Sequence, residues 1–109
     1  MLLSDYQQRS RATAVYPGAG DNLLYPTLGL CGVAGEVAEK VKKMVRDDAG
    51  VLTPERRAAL AKELGDVLWY VAQVATEAEL DLDVIAAANL QKLLSRQERG
   101  VLQGSGDER

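Results

Sequence analysis

Two long stretches of this chain repeat apolar residues at helical spacing, and each sets a pair of acids beside its apolar face. From Thr27 to about Arg46 the stripe is Leu30, Val33, Ala34, Val37, Val41 and Met44. From Thr53 to about Ala78 it is Leu60, Leu64, Val67, Leu68, Val71, Val74 and Ala75, which covers a wide arc and predicts a central helix. A strand alternates its faces every two residues and cannot use this pattern. No strand signal, internal repeat or sustained heptad occurs elsewhere, so the chain is expected to be all-α, helix packed on helix. The acids are Glu36 and Glu39 in GEVAEK, then Glu63 and Asp66 in KELGDVLWY. Unpaired carboxylates beside a core cost several kcal/mol each, so a cation is expected to compensate them. With oxygen ligands only, Mg²⁺ or Mn²⁺ suits better than zinc.

The remaining elements follow from caps and breakers. Ser4 with Gln7 has the form of a capping box and predicts a short helix from about Asp5 to about Ala14. Residues 15 to 26 carry Pro17, Gly18, Gly20, Asp21, Asn22 and Pro26, a loop composition. Its Tyr16 and Tyr25 either pack the loop down or line a ligand site. Asp47 to Leu52 reads as a turn, and Thr53, Pro54 and Glu55 supply a cap, a first-position proline and an early acid for the next helix. Asp81 or Asp83 caps a last helix to about Arg99, with Ile85, Ala86, Leu90, Leu93 and Leu94 facing inward and Asn89, Lys92, Arg96 and Arg99 along its side. Residues 1–109 are expected to form one domain, with a helix and loop at 1–27 and a flexible tail at 100–109.

Composition excludes several classes of chemistry. A net charge of −3 argues against coating a nucleic-acid polymer, which relies on surplus Lys and Arg. The absence of histidine removes an imidazole base, a Ser/His triad and any His ligand. Cys31 has no second cysteine to pair with; it fits a reducing compartment and is expected to be a packed, inert thiol. No apolar run approaches the length of a membrane span, so a cytoplasmic, soluble protein is expected. At 109 residues the core is modest, and a helical subunit of this size often completes it by association.

Carboxylates three apart on a helix share a side, with about 5 to 6 Å between their Cβ atoms. Two such pairs on packed helices can converge, and a hard cation held there would neutralise the charge of a phosphate ester or anhydride and activate water. A carboxylate not on the metal would accept that water's proton. Acids at this spacing are also common on solvated helices, which leaves a plain surface reading open. The basic stripe Lys92, Arg96 and Arg99 likewise suits either phosphate oxygens or the dipole at a helix C-terminus.

The strings GLCGVAGEVAEKVKK, KELGDVLWYVAQVA and ANLQKLLSRQERG resemble the MazG-like nucleoside triphosphate pyrophosphohydrolases over about Leu24 to Asp107. The resemblance implies a four-helix MazG-like bundle completed as a homodimer or homotetramer. It also implies Mg²⁺-dependent hydrolysis of a nucleoside triphosphate, NTP or dNTP, to the monophosphate and pyrophosphate. The family motif is E-x-x-E followed by E-x-x-D. Glu63 and Asp66 match its second half and Glu36 the second glutamate of its first half, which implies metal-ligand roles. The first glutamate is replaced by Val33, which has no donor atom.

Glu36 and Glu39 also satisfy E-x-x-E. By helical bearing, however, Val33 and Glu39 flank Glu36 on opposite sides about 120° apart, so Glu39 would be an auxiliary ligand or proton acceptor. Lys92 and Arg99 resemble phosphate-contacting positions, Asn89 and Arg96 accompany them, Tyr70 would approach the nucleotide and Trp69 would pack between subunits. Val33 leaves three readings: one retained metal site with weaker activity, nucleotide binding without catalysis, or an introduced change disabling a working enzyme. A purely structural helical bundle is the remaining alternative.

Overall fold

The computed structural model describes residues 1–109 and contains four α-helices and no strand, the class expected. Helix α1 covers Leu3–Ser10 and continues into a 3₁₀ turn at Arg11–Thr13; α2 covers Leu24–Asp47, α3 Pro54–Glu77 and α4 Leu82–Glu98. Helices α2 and α3 form an antiparallel hairpin, with Gly29 against Tyr70 at one end, Lys40 near Glu63 midway and Asp48 bonded to Arg56 at the turn. Helix α1 packs on α3 and α4, and α3 is the central helix as the sequence predicts.

The hairpin turn uses local chemistry. The Asp48 and Gly50 amides both return to the Met44 carbonyl at 2.9 and 3.2 Å, and Ala49 and Gly50 take left-handed backbone, φ 54° and 77°. Thr53 Oγ1 accepts from the Arg56 amide at 3.2 Å and Pro54 opens α3, as expected. Asp81, of the two candidates, caps α4, accepting from the Asp83 amide at 2.8 Å.

The expected capping box at Ser4 and Gln7 is not formed. Helix α1 begins earlier, its first turn closed by the Leu2 amide donating to Asp5 at 3.0 Å. Ser4 and Gln7 are thereby free for tertiary bonds. Ser4 Oγ donates to Asp83 at 2.5 Å; the Gln7 amide donates to the Leu80 carbonyl at 2.8 Å, and its oxygen accepts from the Leu82 amide at 2.9 Å. These bonds fix the start of α4 on α1, and Leu82 is buried beneath them with Ala72 and Ala75.

That cluster is nearly all the apolar core one chain has. The radius of gyration is 16.8 Å, against about 13 Å for a compact domain of this length. The accessible surface is 7615 Å², about 1,700 Å² above the roughly 5,900 Å² expected for the mass. Several residues expected to face inward lie exposed: Val41 on α2, Leu64 and Leu68 on α3, and Ile85, Leu90, Leu93 and Leu94 on α4. Beyond its first turn α4 has almost no neighbour in its own chain to cover that face. Cys31, expected to be packed, is exposed on α2.

Gly29 sets how closely α2 approaches α3. A Cβ placed there would lie 2.1 Å from Tyr70 Cε1 and 2.5 Å from Cζ, so the ring occupies the space a side chain would need. Gly29→Ala is expected to push Tyr70 out of place and destabilise the chain by about 1–3 kcal/mol, the usual range for overpacking. Chemical denaturation of the two proteins at equal concentration measures it.

Candidate functional site

The hairpin geometry carries the acids of α2 and α3 to a shared cleft. Its volume is about 390 Å³ and its lining is Val33, Glu36, Asp66, Trp69 and Tyr70. Glu63 lies one turn back on α3, its side chain mostly covered. The Glu36 carboxyl comes within hydrogen-bonding reach of Glu63, a contact that is a hydrogen bond only when one of the two carries a proton. This contact with Glu36, then burial, then the charges of Glu36 and Asp66 push the Glu63 carboxyl above its ordinary value of 4.5. Lys40 opposes the shift, but its Nζ stands 3.8 Å from Glu63 Oε1, outside hydrogen-bond range. Glu63 Oε2 is buried with no hydrogen-bond partner.

These facts bear on whether the site fits a divalent ion. All the donors are carboxylate oxygens, two of the groups crowd each other, and one oxygen is buried and unbonded. That is the chemistry of a hard-cation site. As the side chains stand, no three acids converge tightly enough to enclose an ion by themselves; Mg²⁺, which keeps several waters, makes least demand for such enclosure. Glu36, Glu63 and Asp66 supply the carboxylate oxygens that a Mg²⁺ or Mn²⁺ ion would need, with apolar Val33 as one wall of the cleft.

Glu39 is not brought to this cleft. It is half exposed and bonds Lys42 Nζ at 2.7 Å, a pairing that, with Lys43 and Arg46 nearby, holds its carboxyl below the ordinary range. Val33 faces the cleft and Glu39 turns away, as their helical bearings predict.

An aromatic wall continues the cleft. Trp69 meets Tyr70 edge-on at 5.0 Å and Tyr16 at 6.4 Å, and Tyr16 stacks on Tyr25 at 5.1 Å. Tyr16 is buried, so it packs the loop down, while Tyr25 stays partly open. Trp69 Nε1 donates to Thr13 Oγ1 at 2.8 Å, which ties it to its own chain's N-terminal arm.

What fixes that arm has no local signal in the sequence. The Glu77 carboxylate, 1% exposed, accepts from the Gly20 amide at 2.7 Å, Tyr16 Oη at 2.9 Å and Arg11 Nη2 at 3.2 Å. The Gly20 amide is the main cause of its lowered pKa, with Tyr16 and Arg11 adding to it. Gln73, fully buried, extends the network by donating to Ser10 Oγ at 2.9 Å and accepting from Arg11 at 3.2 Å.

The basic stripe of α4 stands apart from the acidic cleft. Lys92, Arg96 and Arg99 line a separate hollow of about 380 Å³ with Gln91, Ser95 and Asp107. Asn89 is exposed and does not line it. No helix is long and apolar enough to cross a membrane.

The family model of the MazG nucleotide pyrophosphohydrolase domain matches residues 27–101 of this chain. The chain belongs to the MazG family. That match spans both halves of the acidic cleft and the whole of α4. Over its full length the MazG chain is also similar to the Gene 37 protein of Mycobacterium phage L5, 54% identical over 114 residues covering all of both proteins. No solved structure matches.

The crowded pair gives this MazG domain a signature in stability. A carboxyl whose pKa is raised on folding costs nothing below its unfolded value, and the penalty grows as pH rises through 4.5 to the raised value. Glu63→Gln is therefore expected to raise Tm at pH 7 without divalent ions. The gain should shrink on acidification and vanish below about pH 4.5. Thermal melts of both proteins across pH 4 to 8, with chelator present, check this.

Proposed function

We propose that this MazG domain hydrolyses a nucleoside triphosphate to the monophosphate and pyrophosphate at the α2–α3 cleft with a divalent ion, Mg²⁺ or Mn²⁺. The observation that carries the reading is the α2–α3 cleft lined by Glu36 and Asp66, with the mostly covered Glu63 one turn back, all within the residues that the family model matches. When bound, the ion supplies neutralising charge for the phosphate oxygens and acidifies a water. Glu63 and Asp66, with Glu36, would hold the ion. A cleft-facing oxygen of Glu36 or Asp66 not engaged with the ion takes the proton from the attacking water. Tyr70 and Trp69, walling the same cleft, position the nucleoside. Lys92 and Arg99, with Arg96 and Asn89 beside them, receive phosphate oxygens.

Such a site requires a second copy of the chain. Within one copy the basic stripe of α4 and the acidic cleft lie on separate hollows. The apolar faces of α3 and α4 stand open, and the surface excess of about 1,700 Å² per chain is what an obligate homodimer buries. A homodimer or homotetramer that pairs these faces completes the core and brings α4 of one copy toward the cleft of another. Glu39 pairs with Lys42 and lies outside the cleft, so the proposed chemistry is assigned to Glu36, Glu63 and Asp66.

A second reading rests on Val33, which lines the cleft where the family motif has a ligand. With one carboxylate fewer, the site would bind nucleotide and ion without turning them over. Pyrophosphate release from a panel of NTPs and dNTPs with Mg²⁺ separates the two. Hydrolysis is expected, raised by Val33→Glu and reduced about 100-fold or more by Asp66→Asn. Metal-dependent nucleotide binding in calorimetry with no product, even in the Val33→Glu protein, would favour the binder.

A further inference from the structure

The MazG chain carries an anion of its own on the α4 cations. Residues 100–109 turn back over the last two turns of α4, bending at Gly100, Gly104 and Gly106, whose φ values of 73°, 149° and 87° favour glycine. The Arg109 guanidinium holds this fold together, donating to the carbonyls of Val101 at 3.0 Å and Leu102 at 2.8 Å. Asp107 Oδ1 then lies 3.3 Å from Lys92 Nζ and 3.5 Å from Arg96 Nη2, and the Asp107 carbonyl also accepts from Arg96. Arg99 Nη1 donates to the Arg109 carbonyl at 2.6 Å.

Two features make this more than a helix end neatly covered. Arg96 is 4% exposed, and its guanidinium finds its hydrogen bonds only in the tail, at Asp107. Lys92 likewise bonds Asp107 alone. Asp107 itself is 85% exposed, so the anion that satisfies these cations sits at the water boundary and is readily exchanged. A phosphate group offers more charge and more oxygens to the same guanidinium and ammonium groups than one carboxylate does. The hollow of about 380 Å³ beside them leaves it room to approach.

We infer that residues 100–109 form an autoinhibitory strap, in which Asp107 occupies Lys92 and Arg96 in place of the phosphate oxygens of a polyphosphate ligand. The inference rests on the phosphate role given above to Lys92 and Arg99. Ligand binding then requires the strap to lift, and the apparent affinity is lowered by the fraction of chains in which it is down.

Calorimetric titration of the full chain with inorganic tripolyphosphate, without nucleotide, tests this independently of hydrolysis. Asp107→Asn removes the competing charge at an exposed position. It is expected to bind tripolyphosphate about three- to tenfold more tightly than the unsubstituted chain, and Asp107→Glu to restore the weaker binding. In parallel, saturating tripolyphosphate should move the amide resonances of residues 101–109 in the unsubstituted chain toward random-coil positions. Equal affinity in the Asn variant, absence of binding in both proteins, or tail resonances unmoved at saturation would overturn the strap. A chain that fails to hydrolyse nucleotides yet shows the gain keeps the strap and loses only the enzymatic reading; a working enzyme without the gain does the reverse.

Discussion

Two carboxyl groups, Glu36 and Glu63, are neighbours where α2 lies against α3, and the proposed chemistry of this MazG domain depends on that proximity. Each prefers water and each repels the other once ionised. They are held because the apolar stripes of the two helices favour pairing and because Gly29 lets Tyr70 settle against α2 without an intervening side chain. Lys40 stands near enough to temper the repulsion and too far to abolish it. The hairpin thus stores an unfavourable electrostatic arrangement at the mouth of a cleft, a common property of sites that act on charged ligands.

The rest of the fold keeps that cleft in shape. Glu77 gathers Gly20, Tyr16 and Arg11, so that the loop before α2 lies down on α3 and the ring of Tyr16 meets Trp69. Gln7 and Ser4 anchor α4 at its first turn and leave the remainder of that helix to find partners elsewhere. The apolar residues on the outer faces stand uncovered in one chain, and in the homo-oligomer proposed above they form the seam with another copy.

Most of the helical plan was legible in the sequence because it is written locally. The 3.6-residue stripes, Thr53-Pro54-Glu55 and Asp81 each specify their element within one turn, and α2, α3 and α4 begin and end within a few residues of expectation. Ser4 and Gln7 misled because a capping motif is only a local option, and bonds to Asp83 and Leu80, more than seventy residues away, outcompete it. The inward stripe of α4 was legible as apolar but not as unpartnered, since a sequence does not say which chain covers a face. In the candidate site, helical geometry anticipates that Glu36 and Asp66 share a cleft and that Val33 and Glu39 diverge. The Glu77 clamp and the seat of Asp107 on Lys92 were not legible, because long-range pairs of opposite charge leave no periodic trace.

In the proposed reading, the neighbouring carboxyls of α2 and α3 hold a divalent cation. Crystals soaked in Mn²⁺ and measured at the manganese absorption edge test it most directly. An anomalous peak is expected in the α2–α3 cleft within coordination distance of oxygens from Glu36, Glu63 and Asp66. A fully occupied crystal with no peak there, or with manganese bound only at Glu39 or on another face, would contradict it.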